Sequence, residues 1–365
     1  MAMSNDVDDR TPDRAEVAEV RPGEQLDWDA VAVFLRSAVP GLDGELTVEQ
    51  FPNGSANLTY RLTMGDRRMV LRRPPFGQLA PGAHDMRREH RALAGLSTVF
   101  DRVARPLAFC DDHSVIGSDF FVMEYRPGVV IWDHIPAAMS HHTDVGRRVG
   151  FAVADTLADL HLLDPSDAGL ADLGRPIGFV ERQVSGWSTR WSLVDAGRVP
   201  TMNDVSRRLL DSLPPQSAQV SILHNDVKLD NCQFSPDDPD RVKTVFDWDM
   251  ATLGDPLVDL GTLMNYWPDP RDSDDDRSMH VPGLECLGLP GRPEMIERYA
   301  ARTGFDVSHL PWYEAFATWK TAVVCEQLYQ RWVRGESTDA RMADRGEPVP
   351  RLCDRAATLL DRLSA

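Results

Sequence analysis

Cysteine is scarce in this chain of 365 residues. Cys110, Cys232, Cys286, Cys325 and Cys353 are scattered, odd in number and form no C-x-x-C pair. A disulfide framework or zinc site is therefore not expected, and a reducing compartment fits best. Positive charge is in deficit too: 39 Lys plus Arg stand against 57 Asp plus Glu, a formal net charge of −18. Binding to nucleic acid or to an anionic membrane needs a basic footprint, so neither is expected as a partner. A small polyanion is still admissible, because a metal and a few local cations can neutralise it. Long apolar runs are also missing, and with them any spanning helix. The opening MAMSNDVDDR has no apolar stretch of a secretory signal, so the chain reads as soluble and cytoplasmic. There is no internal repeat, no G-x-G-x-x-G, no G-x-S-x-G and no evident Cys–His arrangement.

What is present builds a core. Apolar residues make up 42% of the chain, and its length suits two domains or one bilobal domain. Residues 1–27 read as an acidic, disordered tail, since the first thirty residues carry nine acids and three bases. Helical spacing begins at Trp28–Val31 and runs toward Leu35 and Val39. Leu58, Tyr60, Leu62 and Met64 alternate with other residues, which predicts a strand. Gly65-Asp66 turns the chain, and Met69–Arg72 is a second strand stopped by Pro74-Pro75. His84–Leu96 is helical in character and Phe120–Met123 is strand-like. From Asp144 the spacing of Val145, Val149, Val153, Leu157 and Leu160 marks one face of a long helix. Val220–Leu223 and Val242–Phe246 read as strands around a polar loop, and residues 294–363 as mostly helical. The acid-rich run 268–277 reads as an exposed loop or a substrate lid.

The chemistry concentrates in Ile222–Phe234, ILHNDVKLDNCQF. Asp226 is followed five residues later by Asn231, and a second acid, Asp247, ends the next strand. Phosphoryl transfer from ATP needs such a set. One carboxylate takes or orients the acceptor's hydroxyl proton, while an amide oxygen and a second carboxylate hold Mg²⁺.

This His224-x-Asp226-x-Lys228-x-x-Asn231 pattern resembles the catalytic loop of protein kinases. With FDWDMATLGDPLVDLGTL it is more similar to the aminoglycoside phosphotransferase and choline kinase family, and no A-P-E segment is present. VLRRPP, HDMRREHRAL and VIGSDFFVMEY resemble the branch related to the kinase domain of acyl-CoA dehydrogenase fusion proteins. The resemblance covers about residues 30–340. It implies an α+β, bilobal protein-kinase-like fold. A small antiparallel-sheet lobe, residues 28–125, would bind the nucleotide. A larger, mainly helical lobe, residues 126–365, would carry the catalytic loop and acceptor pocket. It implies Asp226 as catalytic base, Lys228 beside the transferring phosphoryl group, Asn231 and Asp247 as Mg²⁺ ligands, and His224 as a loop support. ATP and Mg²⁺ are the implied cofactors.

Other residues divide between chemistry and structure. Asn53-Gly54-Ser55-Ala56-Asn57 is by itself a turn whose N–H groups can cradle phosphate. The resemblance makes it a shortened nucleotide loop. Arg72 stands where protein kinases carry a strand lysine, with Glu89 as its natural ion-pair partner. The plainer alternative is two exposed surface charges. Residues 66–91 hold seven Arg and three acids, a local positive field. Met123-Glu124-Tyr125 resembles the hinge that meets adenine through its backbone. Asp249 either faces the site or braces it. Asp255 and Asp259 read as caps or braces of the next helix, His161 as a packed histidine, and His141-His142 as a loop pair. Trp187, Trp191, Trp319 and Trp332 read as core.

The expected reaction moves the γ-phosphoryl of MgATP to a hydroxyl of a small molecule, either a hydroxyacyl compound or an amino-alcohol or aminoglycoside. The rival is a catalytically silent nucleotide- or metabolite-binding module. That rival predicts loss of Asp226, Asn231 or Asp247, and all three are present.

Overall fold

The computed structural model describes residues 16–52, 57–77, 84–273, 282–337 and 339–363. The chain begins with helix α1 (Trp28–Ala38), capped by the Asp27 side chain on Ala30 N, and strands β1 (Leu46–Gln50), β2 (Leu58–Met64) and β3 (Arg67–Arg73). Helix α2 (Met86–Leu96), strand β4 (Pro106–Cys110), the single-turn α3 (His113–Ile116) and β5 (Phe120–Glu124) follow. The five strands form one antiparallel sheet in the order β1-β2-β3-β5-β4. In β2 the alternating residues Leu58, Tyr60, Leu62 and Met64 are all buried. They pack with Val31 and Leu35 of α1, as strand and helix periodicities require.

The first lobe thus has five strands, where the sequence reading found fewer. β4 escaped it because it starts at proline and is half-buried throughout except for Cys110, so no alternation shows. The expected tail 1–27 also needs correcting at its inner end. Ala18 exchanges both backbone hydrogen bonds with Gln50 at 2.8 Å, and Tyr60 donates to Glu24 O at 2.7 Å. From Glu16 onward the segment is packed against the sheet, because that sheet edge offers unpaired backbone groups.

The second lobe starts with β6 (Val129–Val130). Helices α4 (Val145–His161), α5 (Phe179–Ser192) and α6 (Thr201–Asp211) follow, then β7 (Ser221–Leu223), β8 (Cys232–Ser235), β9 (Asp238–Val245) and β10 (Thr252–Gly254). The chain closes with α7 (Leu257–Tyr266), α8 (Arg292–Thr303), α9 (Leu310–Val333) and α10 (Val349–Asp361). Trp187, Trp191 and Trp319 lie in the core as expected, whereas Trp332 is half-buried. No helix among the described residues is long and apolar enough to cross a membrane.

The lobes share packing through α2. Met86, Leu93 and Leu96 belong to the same buried cluster as Val153 and Leu157 of α4. Arg88 of α2 donates to Ala251 O (2.8 Å) and Leu173 O (2.7 Å) of the second lobe. At the crossover, Gly128 is required: a Cβ there would stand 2.6 Å from the Gln233 side chain and from Phe234 O.

Candidate active site

The loop between β7 and β8 is held from behind. Asp259, in α7 and fully buried, accepts from His224 N (2.7 Å) and Asn225 N (2.6 Å) and meets His161 Nε2 at 3.3 Å. Burial pushes its carboxyl up, but the hydrogen bonds from His161 and from the His224 backbone help hold it below its ordinary value. Asn225 sits at φ 68°, the left-handed region, and its side chain donates to Met250 O at 2.9 Å. His224 Nε2 donates to Phe246 O (2.6 Å), and its Nδ1 accepts from Asp226 N (3.2 Å). The two partners select that tautomer, and His224 ties the two acid-bearing segments together.

These braces set Asp226 against Asn231 and Lys228, which line the cleft between the lobes. The Asn231 amide nitrogen donates to Asp226 O (2.8 Å) and Oδ2 (3.2 Å), which leaves the amide oxygen as an acceptor. Lys228 Nζ lies 3.3 Å from Asp226 Oδ2 and 3.8 Å from Asp230. Burial opposes its charge, but Asp226 and Asp230 outweigh burial and keep the ammonium firmly protonated.

Asp247 follows β9 at φ 66° and is held from the other lobe. Arg72 on β3 donates through Nη2 to Asp247 Oδ1 and through Nε to Glu89 Oε2 at 2.9 Å. Neither Arg72 nor Glu89 is an exposed surface charge; Glu89 is only 1% exposed. Burial drives the Glu89 carboxyl up, against Arg72. Burial and the neighbouring Asp247 push Asp249 up to about 6. Asp249 sits beside Asp247 without lining the cleft.

The cleft is a cavity of about 360 Å³. Val70, Leu93, Ala104, Met123 and Val245 give it apolar walls, and Arg72, Glu89, Lys228, Asn231 and Asp247 a polar end. Met123, Glu124 and Tyr125 line its hinge side, where the Tyr125 hydroxyl donates to Glu16 Oε1 at 2.7 Å. Three buried side-chain atoms of lining residues lack a hydrogen-bond partner among the described residues: Asn57 Nδ2, Gln233 Oε1 and Thr244 Oγ1. Buried polar atoms are rarely left so, and these suit a ligand with its own donors and acceptors. Asn53, Gly54 and Ser55 lie outside the described residues.

The structure therefore brings Lys228, Asn231, Asp247, Arg72, Glu89, Asn57 and the hinge residues to one cleft, with Asp226 against Asn231 and Lys228. Asp255 is instead a buried brace: it caps Leu257 N (3.0 Å) and accepts from the Tyr313 hydroxyl (2.6 Å). His161 is packed beside Asp259 and Tyr299. His142 is spent on Pro236 O (2.9 Å). Sequence reasoning missed Asp230, Gln233, Thr244, Tyr266 and Lys320. Lys320 had a signal, a lone cation in the run AFATWKTAVV of α9.

A two-lobed α+β fold with these acids at the cleft defines a kinase-like phosphotransferase. The chain matches the phosphotransferase enzyme family over residues 47–316 and belongs to it. It is 34% identical to acyl-CoA dehydrogenase family member 11 of Mus musculus, over 89% of this chain and 42% of that protein. It is 28% identical to the Arabidopsis thaliana acyl-CoA dehydrogenase homologue IBR3, over 90% of this chain and 42% of that protein. The chain thus spans less than half the length of these relatives. Among solved structures, a Ralstonia eutropha protein assigned as an aminoglycoside phosphotransferase is 28% identical, with a TM-score of 0.77 over 93% of this chain and 99% of that one. Aminoglycoside phosphotransferase APH(4)-Ia, in complex with ADP and hygromycin B, shares the fold at 16% identity, with a TM-score of 0.57 over 90% and 98% of the two chains.

Proposed function

We propose that this chain transfers the γ-phosphoryl group of MgATP to a hydroxyl of a small molecule. The carrying observation is the convergence of Lys228, Asn231 and Asp247 at the polar end of an apolar cavity with three buried polar atoms unpaired among the described residues, with Asp226 in contact with Asn231 and Lys228. The apolar walls suit a purine, and the hinge at Met123–Tyr125 offers backbone groups to its edge. Asn231 Oδ1 and the Asp247 carboxylate are hard oxygen donors, which fit Mg²⁺; the ion would supply charge neutralisation at the phosphates. Asp226 would accept and orient the acceptor's hydroxyl proton. Lys228 would offset charge on the moving phosphoryl group, and Arg72 would serve the phosphates from above. Little covalent work falls to the protein, so positioning dominates.

The acceptor is a hydroxyacyl-type compound on this reading, supported by the match to part of the acyl-CoA dehydrogenase family proteins. Amino alcohols and aminoglycosides are the second class, supported by the shared fold with APH(4)-Ia. The test is ATP consumption with Mg²⁺ across hydroxyacyl, amino-alcohol and aminoglycoside panels, with the product identified by mass spectrometry. Replacing Asp226 with Ala should lower kcat by about 10³-fold while the Kd for MgATP is retained. Nucleotide binding with no Asp226-dependent turnover would leave a silent binding module.

A further inference from the structure

Beside the turn at Asn225 that precedes Asp226, α9 contributes a cation outside the set assigned to the nucleotide. Lys320 Nζ donates to Asn225 O at 3.1 Å and lies 5.5 Å from the centre of the Trp187 ring. Among the described residues it makes this one hydrogen bond and no ion pair. An ammonium has three N–H donors, so two of them have no hydrogen-bond acceptor among the described residues. The position is desolvated: burial drives the Lys320 ammonium toward losing its proton, while the charges of Asp226 and Asp259 oppose that loss. Pinning a carbonyl does not call for a charge. A neutral Gln or Thr could donate the same hydrogen bond without the cost of burying an ion.

The surroundings indicate what the charge is for. Trp187 gives an apolar floor, and Arg190 lies over the same ring, 4.3 Å from its centre. Tyr266 lies under Lys228, 5.8 Å from ring centre to ammonium. The charged groups felt by Lys320 are Asp226, Asp259 and Arg190. Asp259 is already committed to two backbone N–H groups and His161. This side of Asp226 therefore offers cations and aromatic surface, with Asp226 itself as the available acid.

We infer that Lys320 anchors the acceptor. One N–H fixes the left-handed turn at Asn225, and the others bind an anionic oxygen carried a few bonds from the hydroxyl to be phosphorylated. The preferred acceptor is then a small hydroxylated anion, and amine-bearing acceptors are disfavoured. This rests on the phosphotransferase reading above and assigns its acceptor subsite.

The experiment uses one skeleton with three head groups: 3-hydroxybutyrate, 1,3-butanediol and 4-amino-2-butanol, with homologues one and two carbons longer. Each is assayed with MgATP on the full chain and on Lys320→Met, Lys320→Gln and Lys320→Arg. The expected result is an acid-over-diol preference in kcat/KM of about 10-fold or more, with the amines poorest. Lys320→Met and Lys320→Gln should bring that ratio near one, mainly through KM, and Lys320→Arg should keep it. Thermal unfolding and the Kd for MgATP establish that each variant is folded. Equal use of the three head groups, or an acid preference that survives Lys320→Met, overturns the inference. A uniform loss of kcat in Lys320→Met that Lys320→Gln repairs also overturns it, because Lys320 then only positions Asn225. No turnover on any member with MgATP bound overturns it too. Diol turnover that depends on Asp226 without acid preference defeats this inference alone; ATP loss that persists in Asp226→Ala defeats the phosphotransferase reading itself.

Discussion

Asp247, which lines the cavity, and Asp226, which lies against the cavity residue Asn231, rest on opposite kinds of support. Asp226 rides on a loop fixed entirely by its own lobe, through Asp259, His224, Asn231 and Lys320. Asp247 is gripped across the cleft by Arg72, which also holds Glu89 in the first lobe. The first arrangement is pre-set and does not depend on how the lobes close. The second couples one carboxylate to the placement of β3 and α2. On the function proposed above, a group that meets a mobile hydroxyl profits from rigidity, whereas one that shares charge with a nucleotide profits from a partner able to exchange.

The contrast can be broken most forcefully at Asp259. Replacing it with Ala strips two backbone N–H groups and His161 of their acceptor, and should cost about 3–5 kcal/mol by urea unfolding. Its folded pKa lies below the ordinary 3.8, so its contribution is complete at neutral pH. The advantage of the native chain over Asp259→Ala should shrink only as pH falls below that value, through the folded pKa; a loss already apparent near pH 6 would assign the stability to another group. Arg72→Lys addresses the opposite support. A lysine is a single point charge and cannot fork between Glu89 and Asp247. We expect roughly a 10-fold fall in kcat/KM for MgATP, with urea stability much less affected than at Asp259, as read from ATP titrations. The baseline outside both supports is Arg298, paired with Asp155 at 2.7 Å on the surface. Arg298→Ala should change stability by less than about 1 kcal/mol and leave turnover alone. A larger shift there would blur the distinction between braced and peripheral charges.

Much of this arrangement was legible in the sequence because its elements repeat locally. Alternation in β2 marked its buried face, and the spacing of Val145 to Leu160 marked α4. The set His224, Asp226, Lys228, Asn231 and Asp247 could be read as a spatial unit because its members lie close together in the sequence. What escaped depends on distant contacts. β4 has no alternation, and residues 16–27 become ordered only by meeting the edge at Gln50. Gln233 and Thr244 look like ordinary strand residues until their side chains are found unpaired beside the cavity. Lys320 is ninety-five positions from Asn225, the residue it holds. Asp255 and Asp259 were read together as helix braces, yet Asp259 holds the loop that carries Asp226, which only the fold reveals.

Trp248 stands between Asp247 and Asp249. Its ring is buried, its Nε1 donates to Val245 O, and its centre lies 4.7 Å from that of His224. The indole is therefore wired to both acid-bearing segments at once. Emission from an indole depends on its neighbours, and an imidazole stands beside this one, so Trp248 would serve the cleft as a built-in optical gauge. A difference spectrum between the native chain and Trp248→Phe would follow events at the cleft in real time, with no label attached.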